Sequence, residues 1–156
     1  MTDKYCDIFD ELAISMLCKG RRVDNGEWVE GSLIQTPYLG SIRSWISSEQ
    51  EDKARLREIS SNKAVWRAFE VRTDTICQCT GLKDKNGKLI WENDIMVAHL
   101  DDSFPEDTTY TRVVWNNNGF CTKTKGSDCI FPLDKFDQEN FEVCGNLFDN
   151  PEIINE

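Results

Sequence analysis

The chain has 156 residues, with 18 Lys and Arg, 28 Asp and Glu, one His and a formal net charge of −10. That length supports one domain, or one with an insert, and a core that needs no covalent staples. The acidic balance opposes general nucleic-acid binding, which draws on a basic face to displace counterions. A single His removes the common metal sites that need two, and no apolar window approaches the roughly 18 residues of a membrane helix.

The N-terminus carries Asp3, Asp7, Asp10 and Glu11, which interrupt any apolar run, so no secretory signal is read there and an intracellular chain is expected. Residues 3–13 have Ile8, Phe9 and Leu12 at helical spacing but are too short to stand alone. Seven cysteines (6, 18, 77, 79, 121, 129 and 144) are an odd number without an export signal, which favours reduced, mostly buried thiols.

Asn-Gly pairs tolerate the positive φ of hairpin turns, and there are three: Asn25-Gly26, Asn86-Gly87 and Asn118-Gly119. Strand-like arms flank each. Residues 14–18 and 28–34 flank the first, 80–85 and 88–91 the second, and 111–115 and 120–122 the third. Three hairpins predict a mainly β, hairpin-rich fold.

Between the first and second hairpins, Ser48 and Glu51 fit a capping box, and the helix formers through Ile59 predict one helix near 48–60, within an insert over about 41–64. Only Ala54, Leu56 and Ile59 are apolar there, so a solvated surface helix is expected. Residues 65–72 alternate as a strand. Cys77-Gln78-Cys79 places two thiols on one face of a strand, but no second close pair completes four metal ligands.

Glu92 and Asp94 would sit on one strand face about 7 Å apart, a separation that would suit paired-carboxylate chemistry or a Mg²⁺ site. The simpler reading is a turn entering the strand Ile95-Met96-Val97, because Asp and Asn in turns bond their own backbone. His99 has no Ser or Cys placed beside it by a recognisable motif, and no phosphate-loop, dinucleotide, zinc-protease or serine-hydrolase string occurs. These observations point away from an enzyme and require neither cofactor nor metal.

Leu100, Asp101, Asp102, Ser103, Phe104, Pro105, Glu106 and Asp107 form an acidic loop, and Asp134, Asp137, Glu139 and Glu142 a second acidic stretch. The two halves differ: residues 1–78 hold 11 basic and 13 acidic side chains, net −2, whereas 79–156 hold 7 and 15, net −8. Pro151 ends the last strand.

Three blocks resemble the YopX family of phage and prophage proteins. The first is Lys19-Gly20-Arg21-Arg22-Val23-Asp24-Asn25-Gly26-Glu27-Trp28-Val29-Glu30-Gly31. The second runs from Thr80-Gly81-Leu82-Lys83-Asp84-Lys85-Asn86-Gly87-Lys88 to Ile90-Trp91-Glu92-Asn93-Asp94-Ile95. The third is Glu142-Val143-Cys144-Gly145-Asn146-Leu147-Phe148-Asp149-Asn150-Pro151-Glu152. With Val113-Val114-Trp115 they delimit a domain over 14–153, with residues 1–13 as an N-terminal extension. The chain departs from the family at Cys77 and Cys79, where Gly and an aromatic are usual, and at Asn93, where Gly is usual. Asn tolerates positive φ, so that turn is expected to persist. The resemblance implies a small SH3-like barrel in the C-terminal part, self-association and no established enzyme activity.

The function read from these features is that of a non-enzymatic accessory protein in the cytoplasm of a bacterial host. It would bind, and inhibit or modulate, a host protein with a basic surface, such as a CRISPR effector or another nuclease. The partner-binding residues would be Asp101, Asp102, Glu106, Asp107, Asp134, Asp137 and Glu139, mimicking a phosphate backbone. The alternatives are a self-assembling structural or regulatory oligomer and a small β module that binds nucleic acid through its aromatics and the clusters Lys19-Arg21-Arg22 and Lys83-Lys85-Lys88.

Overall fold

The computed structural model describes residues 17–48 and 68–155. These residues form two compact units, one within 17–78 and one within 79–155. The expected helix near 48–60 and the N-terminal extension lie outside the described residues.

In the N-terminal unit, β1 (Cys18–Arg21), β2 (Trp28–Tyr38), β3 (Ser41–Ser47) and β4 (Ala68–Val71) pair in the order β4-β3-β2-β1. The start of β5 (Cys77–Lys83) adds to β1 through Cys77 and Gln78. All these pairings are antiparallel. Val29, Ile46 and Val71 form the core, with Cys18, Leu33, Phe69 and Ile76 packed on it. Gly31 sits where β2 meets β3 so closely that a Cβ would fall on the Ser47 carbonyl oxygen.

The first Asn-Gly hairpin is present, but its loop is wider than the two-residue turn expected. Asn25 Oδ1 accepts the Glu27 N–H at 2.9 Å, and Gly26 alone takes positive φ (74°). The tightest turn of this unit is at Leu39 (φ 45°) and Gly40 (φ 80°). It reverses the chain into β3 and so corrects the insert boundary: residues 41–47 are strand, not the start of a helical insert. The alternation of Ser44 and Ile46, both fully buried, with half-buried Arg43 and Trp45 is what a one-sided strand requires.

In the C-terminal unit, β5 from Cys79 onward pairs with β6 (Leu89–Trp91). The strands β7 (Asp94–Ala98), β8 (Thr109–Asn116), β9 (Gly119–Thr124), β10 (Ile130–Pro132) and β11 (Glu142–Asn146) form an antiparallel sheet ordered β10-β9-β8-β7-β11. Two short helices, α1 (Lys135–Asn140) and α2 (Pro151–Ile154), complete it. Ile90, Met96, Ala98, Val113 and Phe141 make the core, lined by Leu82, Phe120, Leu133 and Val143. The mainly β class holds, but the five-stranded sheet stays open rather than closing into a small barrel. Its edges are ill-suited to joining. β10 has three residues and ends in Pro132, which lacks a donor, and β11 is irregular between Val143 and Gly145.

The turn between β5 and β6 is built on Asp84, which is 6% exposed. Its Oδ1 accepts the N–H groups of Asn86 and Lys88, each at 2.9 Å, while Oδ2 accepts that of Val143 in β11 at 2.8 Å. Gly87 takes φ 81° within the turn. Lys85 N–H donates to Phe141 O at 3.1 Å, and Asn86 Nδ2 to Glu142 Oε2 at 2.8 Å. The third hairpin turns on Asn117 and Asn118, one position earlier than expected, with Asn117 at φ 53° and Asn116 paired with Gly119.

Asp84→Ala removes the acceptor of three amides in two segments, with the larger cost at the half-buried Val143 N–H, and an amide left without an acceptor away from water costs about 1–3 kcal/mol. A stability loss of about 3 kcal/mol is expected in urea titration followed by circular dichroism, and a loss under about 1 kcal/mol would contradict this role.

Candidate functional site

Of the seven carboxylates expected to bind a partner, four lie together. Asp101, Asp102, Glu106 and Asp107 occupy the loop between β7 and β8, and all are exposed. Two successive turns shape this loop. Phe104 N–H donates to Asp101 O at 3.1 Å, and Asp107 N–H to Phe104 O at 2.9 Å. Asp101 Oδ1 also accepts the Ser103 N–H at 2.8 Å, fixing the entry. Among the described residues, none of the four carboxylates forms an ion pair. Phe104 stands among them, 61% exposed.

The other three are spent locally. Asp134 caps α1, accepting from Phe136 and Asp137 N–H, and Asp137 returns the bond by accepting Asp134 N–H at 3.0 Å. Asp137 is buried, which corrects its expected place on a binding surface. Burial pushes its carboxyl above the ordinary Asp range, and the nearby Asp134 charge adds to this. Glu139 faces Lys135 one helical turn away at 3.4 Å.

A second surface escaped sequence reading because it needs β3. Cross-strand register puts Lys19, Arg21, Trp28 and Glu30 on the sheet face opposite the N-terminal core. The same face carries Ile34 opposite Trp45, Thr36 opposite Arg43, and Tyr38. The Lys19 and Arg21 cations lie 5.2 and 5.3 Å from the Trp28 ring centroid. Arg43 lies 5.2 Å from the ring of Tyr38 and 5.1 Å from that of Trp45. It also grips Glu70 with two bonds of 2.8 and 2.7 Å, which hold the Glu70 carboxyl below its usual range. Trp28 and Trp45 are half-buried and Tyr38 exposed. The signal available in the sequence was the Ile-Arg-Ser-Trp-Ile alternation of 42–46 after Leu39-Gly40.

The residues weighed for covalent or metal chemistry do not converge. Asp94 is buried and its Oδ2 accepts Trp91 N–H at 2.8 Å, while Asn93 takes φ 66° and donates its N–H to Val113 O at 2.9 Å. Glu92 and Asn93 thus form the turn between β6 and β7, and Asn93 takes the positive φ expected of that turn. His99 is exposed at the end of β7. Cys77 and Cys79 are buried, Cys18 and Cys121 half-buried, and Cys129 and Cys144 exposed, so the thiols are less uniformly buried than expected. Among the described residues no three His, Cys, Asp or Glu are grouped to hold a metal ion, and no helix is long and apolar enough to cross a membrane.

A family model described as YopX protein matches residues 21–155. The chain belongs to the YopX family. That membership supports a phage-type protein. No curated protein matches the chain. Among solved structures, protein EF1440 from Enterococcus faecalis is similar at 19% identity, with 88% of this chain and 96% of that chain covered and a TM-score of 0.49. Among the residues that carry the family resemblance, Asp84, Gly87 and Asp94 build turns, and Asn146 orders the 146–150 turn by accepting Phe148 and Asp149 N–H at 2.9 Å.

Asp137 binds its proton more tightly folded than unfolded, so its contribution to stability is greatest below the ordinary Asp range. That contribution declines as pH rises through the ordinary value to the raised one, and is constant above it. Carboxyl-carbon NMR titration should place Asp137 above the usual Asp midpoint, and Asp137→Asn should remove this part of the stability slope at acid pH.

Proposed function

We propose that this protein is a non-enzymatic phage accessory protein that acts in the host cytoplasm by binding a host protein with a basic surface. A nucleic-acid-handling nuclease is the natural target class, because its cationic channel accepts a run of carboxylates in place of phosphates. The observation that carries this reading is the β7–β8 loop, with four exposed, uncompensated carboxylates in the half of the chain whose net charge is −8. Such a loop raises the rate of encounter, while tight binding rests on desolvated anchors. Phe104 on the loop and the Trp28, Tyr38, Arg43 and Trp45 face belong to the residue types that fill such roles.

A second reading has its own support. Aromatic rings flanked by cations on an open sheet face suit single-stranded nucleic acid, which stacks on rings and tracks positive charge. Gel shift with labelled oligonucleotides at low salt separates the two, since this reading requires a salt-sensitive shift.

Affinity capture from infected host cells should recover a basic protein. The variant D101N/D102N/E106Q/D107N should slow its association about tenfold at low salt, with a smaller effect at high salt. An unchanged association rate, or capture of no basic protein, would overturn the proposal.

A further inference from the structure

The C-terminal unit holds a cationic cleft that runs against its overall charge. Arg112 on β8 and Lys123 on β9 are directly opposite in the antiparallel register, so their side chains share one face. Like charges in that relation repel, and an isolated sheet gains nothing from them. Lys125 follows immediately and lines the same cleft, with Thr124, Gly126, Ser127, Asp128, Ile154 and Asn155. The cleft measures about 440 Å³, within the roughly 300–1,000 Å³ of small-molecule sites.

The charges there are poorly answered from within. Arg112 Nε is buried without a hydrogen-bond partner. Lys123 Nζ has Asp128 Oδ1 at 3.8 Å, but the Asp128 side chain is fully exposed and so contributes little. Lys125 Nζ donates to Ile153 O at 2.9 Å, using one of its three protons and placing the ammonium at the end of α2. The turn that carries these groups is fixed: Ser127 N–H donates to Thr124 O at 3.1 Å, Lys125 N–H to Tyr110 O at 2.8 Å, and Gly126 takes φ 76°.

We propose that this cleft binds the phosphate of a small phosphorylated molecule. Arg112 offers a planar fork of donors, Lys123 and Lys125 offer point charges, and Thr124 and Ser127 add hydroxyls. A bound dianion would relieve the repulsion between Arg112 and Lys123. Asp128 at the rim would oppose it and weaken binding.

Calorimetry of the full chain at low salt, with pyrophosphate and adenosine 5′-monophosphate as probes, tests this. Binding below roughly 1 mM is expected for at least one probe. The exposed substitutions Lys123→Gln and Lys125→Gln should each weaken it about tenfold, and Asp128→Asn should strengthen it. Amide shifts on titration should centre on residues 123–128 and 154–155, a readout that does not require a variant to fold. No heat and no shifts at 5 mM probe (about five times the expected constant), or shifts centred on Lys19 and Arg21, would overturn the site. So would preference for a thymidine oligonucleotide that pyrophosphate cannot displace.

Discussion

The Asp84 carboxylate joins two segments 59 positions apart, holding the β5–β6 turn to the start of β11. A carboxylate removed from water is tolerable only where donors replace the lost hydration, and here three amides do so. Lys85 and Asn86 add bonds to Phe141 and Glu142, so the whole turn is tied to the strand that edges the five-stranded sheet. Phe141 is itself a core residue, which makes the polar bridge and the apolar core parts of one arrangement.

Much of this was legible locally. Turn residues announce themselves because few side chains accept positive φ, and Gly87 and Asn93 take it where the sequence expects a turn, whereas Asn86 does not. All three hairpins lie where the Asn-Gly pairs place them, but none turns on the expected two residues, since loop width and register depend on pairings that no dipeptide encodes. Strand β3 was missed because Leu39-Gly40 is an unusual turn pair and the helix formers after residue 48 drew the insert boundary backward. Openness of the sheet was also invisible, because it is decided at the edges by Pro132 and the irregular β11.

The candidate surface was half legible. Charge counting found the acidic β7–β8 loop but could not distinguish a presented carboxylate from one consumed in a helix cap. Asp134 and Asp137 have the same residue type and a similar neighbourhood in sequence, yet both carboxylates accept backbone N–H groups in the capping box of α1. The aromatic and cationic row of the N-terminal sheet comes from β1, β2 and β3 together, so only strand register assembles it. The blocks that resemble the YopX family hold strand residues together with turn-builders such as Asp84 and Asp94, so family membership speaks to architecture.

Leu39 holds φ 45° with 90% of its surface in water. Left-handed backbone costs an ordinary residue about 1–2 kcal/mol, and an exposed leucine recovers none of that through burial. An Asn at this position would ease the bend, so the hairpin tip is not tuned for folding alone. It is also the natural entry for a protease: chymotrypsin, which cuts after aromatic and leucyl residues, would meet Tyr38 and Leu39 at an exposed loop tip before it reached either core.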